Sequence, residues 1–133
     1  MTNIELDELV EAAQAARKRA YAPYSKYHVG AAVRGDNGKI YPGANIENAS
    51  YGLAICAERN AVAAAILDGA KRIVGCAVVT QTSPPAAPCG MCRQTLAEFA
   101  IDLPVVLVSE SGERAETTLA ELLPRAFRGT DLP

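Results

Sequence analysis

Two short segments of the chain carry side chains that could together hold a metal ion. Cys56 and Glu58 lie in the first segment, and Cys89 and Cys92 lie in the second, each before a run that looks helical. Three thiolates that converge on one point suit a tetrahedral zinc ion with a fourth position left for water. Glu58 would then reach that water without being a ligand. A metal with an open position beside a free carboxylate indicates a catalytic site, because structural zinc sites close with four protein ligands.

Other interpretations of these residues stay open at this point. The C-x-x-C of Cys89 and Cys92 is a weak signal alone, since it also serves redox sites and structural zinc. A structural site with all four cysteines would need Cys76, which lies in an apolar run and is predicted to be a small core residue. Glu58 could simply be an acidic residue favoured in the first turn of a helix. Arg59 could be a solvated surface residue, or its charge could offset the net negative charge of zinc with three thiolates.

The elements that must position these residues are predicted to alternate between helix and strand. An amphipathic helix and a hairpin with a Gly-Asp-Asn-Gly turn come first, and two continuous apolar runs then indicate strands covered on both faces. The predicted helices cover residues 2–21, 55–67, 89–100 and 119–123, and the predicted strands cover residues 28–34, 39–45, 72–80, 104–109 and 113–117. This order predicts an α/β fold, a mixed sheet with helices on both faces, in a single domain over residues 1–133.

The composition argues against several classes of function. The 133 residues include 13 Lys and Arg against 15 Asp and Glu, so the chain lacks the basic balance that a polynucleotide partner usually needs. No apolar run is long enough to span a membrane, and the acidic N-terminus lacks the apolar core of a signal peptide. We therefore expect a cytoplasmic protein, in which reduced thiols favour metal binding over disulfides.

The spacing C-x-E followed by P-C-x-x-C is the signature of the zinc-dependent deaminases. Flanking motifs narrow the resemblance, and they occupy residues 21–30, 43–48, 56–60, 88–94 and 122–127. They resemble cytidine deaminase of the short, homotetrameric kind, from the first helix to the tail. The resemblance implies a three-layer α/β sandwich with a mixed five-stranded sheet between helices. It also implies hydrolytic deamination of cytidine and deoxycytidine to uridine and deoxyuridine, with release of ammonia, in pyrimidine salvage.

The resemblance implies a role for each residue of the metal centre. Cys56, Cys89 and Cys92 match the ligands of one Zn²⁺ per subunit. Glu58 matches the proton shuttle, and Arg59 matches an arginine that hydrogen-bonds the ligand thiolates. The implied partner is a small nucleoside substrate, with no nucleic acid and no membrane.

The resemblance also implies substrate-binding roles for Tyr27, Asn45, Glu47, Ala57 and Phe127. Asn45 and Glu47 match a pair that holds the ribose hydroxyls, and Phe127 matches an aromatic residue that reaches a neighbouring subunit's site. Tyr27 stands where the family usually has a phenylalanine stacked on the pyrimidine. This departure keeps the ring face and adds a hydroxyl group.

Alternatives to these roles remain on the sequence alone. A deaminase of another small aminopyrimidine-like substrate, such as a nucleoside antibiotic, would have no ribose role for Asn45 and Glu47. A zinc-stabilised binding module without catalysis would have no use for Glu58 beside an open coordination position. Without the resemblance, residues 45–48 would indicate only turn-favouring loop chemistry. Phe127 would then indicate a tail aromatic packed on its own core.

Overall fold

The computed structural model describes residues 1–133 and contains one five-stranded sheet with helices on both faces. The helices are α1 (Asn3–Arg17), α2 (Ala57–Leu67), α3 (Gly90–Phe99) and the short α4 (Leu119–Leu122). The strands are β1 (Gly30–Gly35), β2 (Ile40–Ala44), β3 (Ile73–Thr80), β4 (Pro104–Ser109) and β5 (Arg114–Thr118). The order in the sheet is β2-β1-β3-β4-β5, and only β3 and β4 pair in parallel. The predicted mixed sheet between helices is therefore confirmed.

Helix α1 begins as predicted and ends earlier than predicted. Thr2 and Glu5 form a reciprocal capping box at its start. Its last residue is Arg17, whereas the sequence pattern predicts a helix to about Tyr21. The reason is a long-range contact. The Tyr21 N–H donates to the carbonyl of Asn45, at 2.9 Å, so Tyr21 pairs with the segment after β2 instead of continuing the helix.

The central strand β3 has the burial that its apolar run predicts, except at Val74 near its start, which is exposed. Cys76 and Ala77 are fully buried, and Val78 and Val79 are nearly so. Helices cover both faces of this strand, and a neighbouring strand lies on each side of it. A polar side chain is therefore disfavoured everywhere except at the end of the strand. Thr80, the last residue of β3, is the first polar side chain of this strand, and it is buried as well.

Two separate apolar cores lie on the two faces of the sheet. The larger one packs α2 and α3 on the sheet and includes Val62, Val78, Leu96 and Val105. The smaller one, called the α1 core below, packs α1 on the opposite face and consists of Leu6, Leu9, Val10, Ala13, Ala32, Ala77, Val79, Val106 and Val108. None of the helices combines the length and the apolar character that crossing a membrane requires.

Glycine allows β2 to approach α2 closely. A Cβ atom built on Gly43 would lie 2.4 Å from the carbonyl oxygen of Ala57 and 2.6 Å from the backbone nitrogen of Ala61. Any larger residue at position 43 would therefore push the first turn of α2 away from the sheet. This contact sets the position of the helix that begins beside Cys56.

Candidate active site

The three cysteines predicted to bind metal meet where two helices begin. Cys56 is the N-cap of α2, Cys89 is the N-cap of α3, and Cys92 lies in the first turn of α3. Neither N-cap side chain makes a capping hydrogen bond with its own helix. The three Sγ atoms lie within 4.8 Å of one another, with Cys56 and Cys89 at 3.9 Å and Cys89 and Cys92 at 3.5 Å.

This donor set fits zinc. A tetrahedron of Zn–S bonds near 2.3 Å has S···S edges of about 3.8 Å, which the two hydrogen-bonded sulfur pairs approach from either side. All four cysteines are free thiols, and Cys76 lies outside the cluster, buried in β3. The three thiols therefore leave one corner of the tetrahedron without a cysteine ligand.

The surroundings of Cys56 favour its thiolate. Hydrogen bonds from Cys92 and then Cys89 lower the pKa of Cys56 to about 6, although partial burial opposes the shift. The charge of Arg59 contributes to the same lowering. The hydrogen bond with Cys56 raises the pKa of Cys92, and the burial of Cys92 adds to the shift. The two helix N-termini add a positive partial charge that stabilises sulfur anions at this place.

Glu58 lies in the first turn of α2 and is one of the few buried polar residues, with 5% of its surface exposed. Burial raises the pKa of its carboxyl group, and the charge of Cys56 adds to the shift. A carboxyl group with a raised pKa holds a proton more readily than an ordinary carboxyl group, which suits the alternating acid and base roles of general acid–base catalysis.

A cavity of about 360 Å³ opens beside Glu58, within the size range of sites for small ligands. Most of the residues predicted for the site line it. They are Tyr27, Asn45, Glu47, Cys56, Ala57, Glu58 and Cys89. The structure therefore brings the metal centre and most of the predicted substrate positions to one cavity.

Asn45 follows β2 and fixes the loop that carries Tyr27. Its side-chain oxygen accepts from the Val29 N–H at 2.9 Å, and its amide nitrogen donates to the Tyr27 carbonyl at 2.7 Å. An amide side chain has two donor hydrogens and two acceptor lone pairs. One donor and one acceptor of Asn45 therefore remain for a ligand in the cavity.

Glu47 fixes the same loop further along. Its carboxylate accepts from the N–H groups of Tyr24 and Ser25, at 3.0 and 3.1 Å, and from the Ser25 hydroxyl. The Ser25 hydroxyl is the largest cause that lowers the pKa of Glu47. Since a carboxylate offers about four acceptor positions, one remains for a ligand hydroxyl. Ser25 was not predicted to be a site residue, and its place inside the motif at 21–30 is the one signal that the sequence gives.

Arg59 and Phe127 lie outside the cavity lining. The guanidinium of Arg59 donates to the Ala54 carbonyl at 3.2 Å, and its bond to a thiolate stays a prediction. Phe127 is 56% exposed and belongs to neither core. Its carbonyl accepts from Gln94 at 2.8 Å, and the next residue, Arg128, donates to the carbonyls at the end of α3.

Comparisons with known proteins agree with this geometry. Residues 4–108 match the family model for the cytidine and deoxycytidylate deaminase zinc-binding region. The cytidine deaminase of Sporosarcina psychrophila is 45% identical, with 97% of this chain and 96% of that protein covered. The cytidine deaminase of Halalkalibacterium halodurans is 47% identical, with 93% and 95% covered.

The solved structures give the same result. The crystal structure of cytidine deaminase from Burkholderia pseudomallei superposes with a TM-score of 0.88 at 47% identity, covering 96% of this chain and 100% of that one. The zinc-binding family model and the three-thiol cluster confirm the prediction of one Zn²⁺ per subunit. The chain belongs to the cytidine and deoxycytidylate deaminase family.

Proposed function

We propose that this chain is a hydrolytic deaminase of cytidine and deoxycytidine, which it converts to uridine and deoxyuridine plus ammonia in pyrimidine salvage. The observation that carries the proposal is the buried Glu58 carboxyl group beside three convergent thiols, at the wall of a cavity sized for a small ligand. The relatives named cytidine deaminase support the choice of substrate.

The chemistry requires a proton to move between water, the ring and the leaving amine. Cys56, Cys89 and Cys92 would hold Zn²⁺, which would supply the Lewis acidity that lowers the pKa of water to about 7. Glu58 takes the proton of the attacking water and passes it to ring N3, which makes C4 electrophilic. After water has added to C4, the same carboxyl group takes the remaining proton from the new C4 hydroxyl group and delivers it to the amine. The C4–N bond then breaks as C4=O forms, and ammonia leaves. A raised carboxyl pKa suits this double use.

The polar wall of the cavity supports recognition of the sugar. Asn45 and Glu47 each keep hydrogen-bonding capacity after their bonds to the loop, and both face the cavity. Ribose hydroxyls are polar and would lose water on binding, so they need such partners. The Tyr27 ring and Ala57 belong to the same wall and complete the pocket for the pyrimidine base.

We infer a homotetramer in which Phe127 contributes to a neighbouring subunit's site. The support is a largely exposed aromatic ring on a backbone held by Gln94 and Arg128, since exposed aromatic residues are enriched at interfaces. Mixing Phe127→Ala subunits with Glu58→Gln subunits tests this. The mixed sample is expected to be more active than the sum of the two variants measured separately. An activity equal to that sum, or a monomeric mass in solution, would contradict the shared site.

The proposal also includes one deaminase domain over residues 1–133 and a cytoplasmic location. Its support is that one sheet joins β1 to β5, and that thiols remain reduced and able to bind metal in this compartment.

Product analysis with cytidine, deoxycytidine and cytosine, with and without a chelator, tests the function. We expect both nucleosides to be deaminated, and chelation to abolish the reaction. Glu58→Gln should keep zinc and lower kcat by at least ~10²–10⁴-fold, the usual contribution of general acid–base catalysis. Near wild-type turnover in that variant would contradict the role of Glu58. A protein that contains zinc but deaminates none of these three compounds would instead favour a binding module without catalysis.

A further inference from the structure

The hydroxyl group that distinguishes Tyr27 from phenylalanine has partners within the protein. Tyr27 Oη lies 3.3 Å from Thr82 Oγ1, which lies 3.1 Å from Thr80 Oγ1. Thr80 Oγ1 also accepts the N–H of Ala86, at 3.4 Å. We call these three hydroxyl groups the hydroxyl row. It joins the loop before β1 to the segment between β3 and α3.

The hydroxyl row runs along the wall of the cavity. Tyr27, Thr80 and Ala86 line the cavity, whereas Thr82 does not. Thr80 is 3% exposed, so bulk water has little access to its hydroxyl group. Thr82 therefore links two parts of the cavity wall without forming part of the wall itself.

Tyr27 is held at both ends because of this arrangement. Its carbonyl accepts from Asn45 at 2.7 Å, and its N–H donates to the Ser25 hydroxyl at 3.0 Å. Its ring tip is held by Thr82 at the far side. A phenylalanine at position 27 would keep the backbone contacts and lose the one at the tip.

We propose that Thr82 is a positioning residue, which acts through the Tyr27 hydroxyl to fix the Tyr27 ring and thereby sets the affinity for the pyrimidine nucleoside. The inference rests on the proposed function, since it assigns the ring to the substrate. A side chain that is ordered before binding loses less conformational freedom when the ligand arrives, so the row favours binding. It leaves the proton transfers of Glu58 unaffected.

A double-mutant cycle tests the proposal by steady-state kinetics with cytidine. Tyr27→Phe and Thr82→Val should each raise KM roughly three- to tenfold with a much smaller change in kcat, the size expected for one neutral hydrogen bond. The double variant should be no worse than either single variant, because both remove the same bond. Multiplied effects would overturn the proposal, since they would mean that the Tyr27 hydroxyl acts independently of Thr82.

Two further variants distinguish the effect of the hydroxyl row from that of a general loosening of the loop. Thr82→Ser keeps the hydroxyl and should retain the wild-type KM. Ser83→Ala removes the neighbouring hydroxyl, whose bond goes to Glu113 at 2.7 Å, and should leave KM unchanged. An increase in KM for Ser83→Ala equal to that for Thr82→Val would overturn the proposal, because any loosening of the loop would then suffice.

Amide hydrogen exchange tests whether the hydroxyl row exists by a measurement that does not depend on catalytic activity. Thr82→Val and Tyr27→Phe should both speed exchange at the Ala86 amide, by at least roughly threefold in the first variant. Unchanged exchange in both variants would overturn the row. If the wild-type protein exchanged as expected but did not deaminate cytidine, the proposed function would fail while the row itself would stand.

Discussion

Replacing Gly43 by alanine is expected to displace the helix that carries Glu58. The new Cβ atom would lie 2.4 Å from the Ala57 carbonyl oxygen and 2.6 Å from the Ala61 nitrogen. Favourable contacts with carbon begin near 3.5 Å, so α2 would have to withdraw by on the order of 1 Å. Both obstructing atoms belong to the backbone and cannot rotate away, so rotamer changes do not relieve the clash.

The size of the effect follows from that displacement. Overpacking costs about 1–3 kcal/mol, and we expect the upper end of this range in the free energy of unfolding, because a whole helix must move. Ala57 lies between Cys56 and Glu58 in the sequence, so the same movement reaches the metal centre. A misplacement of about 1 Å can cost roughly 100-fold in rate, and we expect a loss of kcat of this order.

The assay combines urea unfolding, zinc content and kcat with cytidine, and two other glycines provide controls. Gly30→Ala would clash with α1, since its Cβ atom would lie 2.0 Å from the Ala13 carbonyl oxygen. It should lower stability as strongly and largely spare kcat of the folded protein. Gly52→Ala meets no atom within 4 Å and should change stability by less than about 0.5 kcal/mol. Wild-type stability or wild-type kcat in Gly43→Ala would refute the reasoning.

Three other predictions concern the site itself. Cys89→Ala should lose zinc and activity together, whereas Cys76→Ala should keep its zinc, and full zinc occupancy by metal analysis in the Cys89 variant would contradict the ligand assignment. Glu47→Ala should raise KM for cytidine far more than for free cytosine, and equal effects on both would count against a sugar role. Burial raises the pKa of Glu58 above its ordinary value of 4.5, so the folded state favours the protonated carboxyl group. The stability of the chelator-treated protein should therefore carry a component that is lost as the pH rises from 4.5 through the raised value. Urea unfolding across this pH range should show that Glu58→Gln lacks this pH-dependent part of the free energy of unfolding. The same pH dependence in the wild-type protein and in Glu58→Gln would contradict the prediction.

The metal centre could be predicted from the sequence because its geometry is local. Cys56 and Glu58 share one helix start, and Cys89 and Cys92 share another. The spacing within each segment therefore fixes which side chains point the same way, and only the meeting of the two helix starts depends on the fold. The strands were predictable for a similar reason, since continuous apolar runs bury themselves on both faces.

The features that could not be predicted depend on contacts between distant residues. Helix α1 stops at Arg17 because Tyr21 pairs with Asn45, and no local pattern encodes this partner. The same holds for Glu47, which hydrogen-bonds the loop before β1, and for Thr82, which meets Tyr27. Polar residues in loops carry no periodicity, so only the assembled fold shows which of them meet.

The separation of the two cores has a practical consequence for engineering. Every residue of the α1 core lies on the face of the sheet opposite α2 and α3, and none of them belongs to the proposed site. Substitutions in the α1 core that change the stability of the protein should therefore leave the reacting groups in their positions. In a biocatalyst built on this chain, the thermal stability could be changed through the α1 core and the substrate range through the opposite face of the sheet.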